Sequence, residues 1–245
     1  MNRNFAQCLL AICLLIPAAM MAQEEAPAKY LKVYMNALFD EQTRNLNDFA
    51  SDSTIYSLVF HDDEIGYFSP AFGFIEEDGD LHEIEISRFS FGASRIDSLV
   101  VTEDPNLRSF TIRGDQAITI HLAFRYEYMI NLRKSKEDAD LKPFLGFSAQ
   151  PYFRAFNYRS SNTTEFPYSF IDLGVVVSIV PRLTYDLNSR WFLDLNVPLA
   201  AYRIQWTKDR FEDPRIPVEE RTTNTVLTES FPSMFQVRFG AGMKF

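Results

Sequence analysis

Strict alternation of apolar and polar residues runs through the C-terminal half of this chain and limits its fold more than any other feature. From 171 to 185 the odd positions read Ile171, Leu173, Val175, Val177, Ile179, Pro181, Leu183 and Tyr185. The even positions read Asp172, Gly174, Val176, Ser178, Val180, Arg182 and Thr184. A period of two is a strand with unlike faces. Residues 117–132 repeat the pattern, with Ile118, Ile120, Leu122, Phe124, Tyr126, Tyr128, Ile130 and Leu132 on one face. Thr119, His121, Arg125, Glu127 and Asn131 share the other.

Eight such strands are expected, at about 30–39, 66–76, 81–93, 116–132, 142–158, 168–185, 190–206 and 234–245. Their connections alternate in length. Those at 40–65, 94–115, 159–167 and 207–233 are mostly long; those at 77–80, 133–141 and 186–189 are short. Glu77-Asp-Gly-Asp80 and Asp186-Leu-Asn-Ser189 are tight-turn sequences. An even strand number with short turns on one rim and long loops on the other is the layout of a membrane-spanning barrel.

The choice of face decides between a soluble and a membrane barrel. A soluble barrel would put the apolar row inside. The charged row here would then face solvent; in a membrane barrel it lines the lumen. The reverse arrangement in a membrane would set arginines against lipid, at roughly 2–4 kcal/mol each near the midplane. Aromatic residues favour the membrane. Tyr126, Tyr128, Tyr185, Trp191 and Phe245 fall near the short-turn rim, and Tyr202 and Trp206 near the other, as two interfacial girdles require. Pro70, Pro151, Pro181 and Pro198 fit less well inside strands. A bulge at Ala200-Ala201 would accommodate Pro198 and the phase slip beside it, and a similar slip separates Ile84 and Ile86 from Phe89 and Phe91.

The N-terminus is a targeting segment. Arg3 precedes an apolar run from Cys8 to Ile16, followed by Pro17 and small residues to Ala22, the pattern of a secretory signal peptide spanning residues 1–22. Both cysteines, Cys8 and Cys13, fall inside it. The remaining domain, 23–245, therefore has no thiol for a disulfide or a metal. A net charge of -9 gives no excess of cations for phosphates, so nucleic acid is excluded as a partner. After Ile16 no apolar run approaches the roughly 20 residues of a membrane helix.

The chain ends Met234-Phe-Gln-Val-Arg-Phe-Gly-Ala-Gly-Met-Lys-Phe245, with Phe235, Val237, Phe239, Ala241, Met243 and Phe245 on one face. This resembles the C-terminal β-signal of outer-membrane proteins in Gram-negative bacteria. In that signal a polar residue is followed two places later by Gly, with apolar or aromatic residues third-last and last. Arg238, Gly240, Met243 and Phe245 match it. With Tyr67-Phe-Ser-Pro-Ala-Phe-Gly-Phe74 and Leu81-His-Glu-Ile-Glu-Ile-Ser87, the chain resembles the small, porin-like outer-membrane β-barrel family. The resemblance implies an all-β, eight-stranded antiparallel up-and-down barrel in the cell outer membrane. It also implies lipid and the barrel assembly machinery as partners, the latter through strand pairing. It carries no common activity, and no cofactor.

Three constellations hold the remaining chemistry. Glu83, Glu85, Arg125, Glu127, Arg154, Asp172, Arg182, Asp194, Arg203 and Arg238 all point inward in this register. Eight strands leave an interior that side chains just fill, so these charges should pair into a polar plug or line a narrow path. His121 faces inward too, and some outer-membrane lipid enzymes use His with Ser and a carboxylate; no Gly-x-Ser-x-Gly accompanies it. His61-Asp-Asp-Glu64 offers oxygen ligands for a cation, or simply a solvated acidic surface. Asn162-Thr-Thr164 is a formal glycan sequon, and Asp52-Ser-Thr54 and Asp97-Ser-Leu99 resemble bacterial O-glycosylation sites.

The expected role is structural or surface-interacting and non-enzymatic, through the charged loop at 207–233. A narrow porin, an outer-membrane lipid-modifying enzyme and a soluble secreted β protein are the alternatives.

Overall fold

A computed structural model describes residues 28–47, 55–93, 116–133, 140–159, 167–212, 214 and 217–245. The strands are β1 (Ala28–Asn47), β2 (Ile55–Ile75), β3 (Leu81–Ala93), β4 (Gln116–Asn131), β5 (Leu141–Arg159), β6 (Tyr168–Asp186), β7 (Trp191–Asn196), β8 (Leu199–Phe211), β9 (Thr222–Ser230) and β10 (Met234–Lys244). Among the described residues there is no helix. Each pairs antiparallel with its neighbour, and β10 pairs with β1 from Tyr30↔Lys244 to Asp40↔Met234, closing the sheet. β7 and β8 are two halves of one wall strand, since β6 pairs with both. β9 and β10 likewise follow one another along the wall, on β8 and on β7 and β1. Ten segments thus build an eight-stranded barrel.

Both phase slips are bulges. Val177 pairs with Tyr202 and Ser178 with Ala200, leaving Ala201 as the extra residue. Ile86 pairs with Phe124 and Arg88 with Ala123, leaving Ser87 over. The prolines sit where a ladder is already interrupted, so no donor is missed. Pro151 lies in the gap of the β4–β5 ladder between Ala123↔Tyr152 and Tyr126↔Ala149. Pro181 and Pro198 share the break between β7 and β8. Pro70 lies one residue beyond the last β2–β3 pair, Ala71↔Glu85.

Two expected loops are corrected. Much of 40–65 continues the β1–β2 hairpin, which is paired out to Asn47↔Ile55. The span 207–233 contains the end of β8 and all of β9, paired from Tyr202↔Ser230 to Arg210↔Thr222. Beyond the membrane neither strand face need be apolar, so the alternation that marks a strand fades. The run Thr222-Thr-Asn-Thr-Val-Leu-Thr228 still carried the β-branched bias of a strand.

Burial follows the alternation. On β1, Tyr30, Lys32, Tyr34, Asn36, Leu38 and Asp40 are buried, while Leu31, Val33, Met35 and Phe39 are exposed. Outward apolar side chains form the lipid-facing band. Tyr185, Trp191 and Phe245 are exposed at its short-turn edge and Tyr202 higher up. At the short-turn end the lumen is floored by Tyr30, Leu81, Met129, Phe144 and Phe192, with the Tyr30 and Phe192 rings edge-to-face at 5.5 Å.

Candidate functional site

Above that apolar floor the lumen is filled by charge. Lys32 Nζ lies 2.7 Å from both Glu83 Oε2 and Asp194 Oδ2. Arg182 Nη2 donates to Glu127 Oε1 at 2.7 Å and to Glu83 Oε1 at 3.3 Å, and its Nη1 lies 3.3 Å from Asp194. Arg238 donates to Glu85 at 2.5 Å and to Glu127 Oε2 at 2.7 Å. Arg125 lies 3.5 Å from Glu85 and donates to Gln236 at 2.7 Å and to Gln150. Four cations from β1, β4, β6 and β10 thus face four carboxylates from β3, β4 and β7.

Neutral groups complete the network. Tyr34 accepts from Lys32 at 2.9 Å and donates to Glu83 at 2.6 Å; Tyr30 donates to Glu83 at 3.0 Å. Ser69 donates to Glu85 at 2.5 Å, and Asn196 to Asp194 at 2.6 Å. Charges removed from water are tolerable when each is paired and hydrogen-bonded in this way. The eight ions are at most 4% exposed, so the ring of charge spans the lumen without a solvated core.

A second tier lies toward the long-loop rim. Arg154 donates to Asp172 at 2.6 Å, and Thr207 to the same carboxylate at 2.7 Å. Arg203 donates to Asp40 at 2.7 Å. Arg154, Arg203 and Asp40, with Arg88, His121, Tyr152 and Gln236, line a vestibule with a free volume of about 40 Å³.

All ten lumenal charges read from the sequence, Glu83, Glu85, Arg125, Glu127, Arg154, Asp172, Arg182, Asp194, Arg203 and Arg238, are buried, in these two tiers. Lys32, Asp40 and Arg88 were missed. The Leu31-Val33-Met35-Phe39 stripe would have turned Lys32 inward. Arg88 has outward parity until the Ser87 bulge reverses it. His121 stands in the vestibule, opposite Arg154 in register, its ring 6.2 Å from that of Tyr152.

Of the C-terminal residues, Arg238 lies within the lower ionic tier. Gly240 faces inward, where a Cβ would sit 2.9 Å from the Tyr34 ring and from Lys32 Cδ. Met243 pairs with Leu31 on β1, and the Phe245 N–H donates to Lys29 O at 2.9 Å. Segment 1–22, Asp52-Ser-Thr54, Asp97-Ser-Leu99 and Asn162-Thr-Thr164 lie outside the described residues, as do the side chains of His61 to Glu64.

No protein-family model matches the chain, and no curated protein matches it by sequence. Solved structures do resemble it. The outer-membrane protease OmpT from Escherichia coli superposes with a TM-score of 0.57 at 10% identity, over 89% of this chain and 97% of that one. The outer-membrane protein AlkL gives 0.49 at 11% identity, over 91% and 92%. Ail, the attachment invasion locus protein of Yersinia pestis, gives 0.41 at 7%, over 90% and 100%. At such identities the likeness is one of architecture: this chain has the closed antiparallel barrel fold of small outer-membrane proteins.

Proposed function

We propose that the protein is an integral outer-membrane barrel with a closed lumen, and that it works by surface interaction rather than by catalysis or bulk conduction. The observation that carries this reading is the ring of four cations and four carboxylates above an apolar floor. A porin needs a continuous aqueous path. Here two successive layers of side chains fill the bore that eight strands leave. The surface available for partners is the outer part of the long hairpins. On β8–β9 and its turn the exposed Lys208, Arg210, Glu212, Glu219 and Glu220 carry both signs. Arg210 Nη2 lies 3.6 Å from Glu212 at exposures above one half, a solvated pair with little energy of its own.

The test is electrical and cellular together. Purified protein in a planar bilayer should give no steady conductance, and fractionated cells should hold it in the outer membrane. Stable channels of porin size overturn the closed-lumen reading; recovery from the soluble fraction overturns the membrane reading.

A further inference from the structure

Two features that end strand pairing face each other across β2 and β3. The ladder runs from Ile75↔Leu81 to Ala71↔Glu85 and stops, although β2 continues back to Ile55 and β3 on to Ala93. The next residue on β2 is Pro70, which has no N–H to offer. On β3 the bulged Ser87 follows. Above this point, among the described residues, β2 pairs only with β1, and β3 only with β4. Ala71 lies about 10 Å above the short-turn rim, at ~3.3 Å per residue and a tilt near 40°, whereas the apolar band is about 25 Å tall. The seam therefore opens inside the membrane. Its borders are apolar and unusually bare: Ile65 77%, Phe68 70%, Phe89 78% and Phe91 74% exposed, against 40% for Ile179 and 45% for Phe239 on paired walls.

Unpaired strand edges are tolerated at membrane depth only where they line a polar, water-accessible space. Such a space lies behind the seam. Tyr67 on β2 and Arg88 on β3 both line the vestibule. On its far side Arg203 is 1% exposed. Its Nη2 is taken by Asp40, its Nη1 is 3.8 Å from Glu229, and its Nε and Nη1 have no hydrogen-bond partner. A buried guanidinium with free donors calls for an acceptor, preferably an anionic one.

We propose that the seam and vestibule form a lateral binding site for a single-chain amphiphile with a carboxylate head, of the fatty-acid class. The head bonds Arg203 within the vestibule, and the acyl chain leaves between Phe68 and Phe89 into the bilayer. A neutral head can accept from the guanidinium but forms only the weaker bond without charge assistance. The free volume of the vestibule is about 40 Å³, the space of a few waters, which admits a carboxylate head alone and leaves the acyl chain in the seam. The proposal rests on the membrane reading, which heat-modifiable migration of the refolded protein checks separately.

The experiment uses refolded protein in neutral-lipid nanodiscs, with radiolabelled palmitate and a palmitate carrying a diazirine at its chain end. Palmitate should bind saturably, and dodecanol should compete far less well than dodecanoate. The photolabel should map to peptides bearing Phe68, Phe89 and Phe91. Arg203→Gln should weaken binding about tenfold or more, the scale of one lost charge-assisted hydrogen bond. Phe68→Ala with Phe89→Ala leaves Arg203 untouched and should reduce the preference for palmitate over octanoate; it serves also if Arg203→Gln does not refold. Non-saturable uptake, equal competition by dodecanol, labelling spread round the whole lipid-facing wall, or unchanged binding in both variants overturns the proposal.

Discussion

Arg238 on the closing strand donates from Nη2 to Glu127 Oε2 on β4 at 2.7 Å, across the lumen and 111 residues away in sequence. The bond joins the last strand of the chain to the middle of the barrel, and Arg238 Nη1 reaches Glu85 on β3 in the same way. Arg238 thus ties the closing strand to the filling of the bore.

Removing that side chain should strand one carboxylate charge, because three cations then face four carboxylates, with Glu127 keeping Arg182 and Glu85 keeping Arg125. Arg238→Met is expected to cost about 3–5 kcal/mol, the scale of an uncompensated buried charge. Adding Glu127→Gln should recover part of the loss, because one stranded charge disappears with it. Urea titration in lipid vesicles, followed by intrinsic fluorescence, gives both numbers. Strictly additive losses would show that the two residues are not coupled.

Gly240 is constrained by space. A Cβ there would lie 2.9 Å from Tyr34 and Lys32 atoms, whereas one at Gly92 would meet nothing within 4 Å. Gly240→Ala should destabilise by about 1–3 kcal/mol through overpacking, and Gly92→Ala by no more than about 0.5 kcal/mol. The same titration decides; equal effects would mean that the Tyr34 ring moves aside at no cost.

The alternation on β6 displayed this register plainly. Ile179 and Ser178 are adjacent, yet one is 40% exposed on the outer wall and the other 2% exposed within. Lumenal charges were legible for the same reason: a charge on the unlike face of an apolar stripe must point inward. What escaped had lost that contrast. β9 has side chains of both parities open to solvent, so its sequence reads as a loop; residues 40–47 are nearly all polar at both parities and read the same way. Arg88 escaped because one inserted residue, Ser87, reversed its parity. The reason for Pro151 was invisible because it lies in the partner strand, where the ladder skips Phe124 and Arg125.

Charge placed on the two faces should separate them. Ile179 lies about 15 Å above Tyr185, again at ~3.3 Å per residue and a tilt near 40°, hence close to mid-membrane. Ile179→Arg should cost roughly 2–4 kcal/mol. Ser178→Arg should cost less, because Ser178 pairs with Ser148 and Ala200, small neighbours that leave room for the new side chain. Folding yields into vesicles compare them, and equal yields would contradict the assignment of faces on β6.

The chain's last residue tests the assembly reading. Phe245 is 62% exposed, and its backbone exchanges hydrogen bonds with Lys29 at 2.9 and 3.3 Å, the outermost link of the seam between β10 and β1. As packing alone, its deletion removes one ring contact of about 1–3 kcal/mol by area and two backbone bonds of about 0.5–1.5 kcal/mol each. The remaining pairs from Tyr30↔Lys244 to Asp40↔Met234 should hold the barrel closed after that loss. If the ending is instead read by assembly machinery through strand pairing, the deletion should sharply lower outer-membrane insertion in cells while the protein still refolds in detergent. Phe245→Tyr should behave as wild type in both settings, since an aromatic ring at the interface is retained. The assay is the level of heat-modifiable protein in each setting. Normal insertion of the deletion, or equal failure in cells and in detergent, would reduce Phe245 to an ordinary contact. It would leave Arg238 and Gly240 explained by the plug and the Tyr34 ring alone.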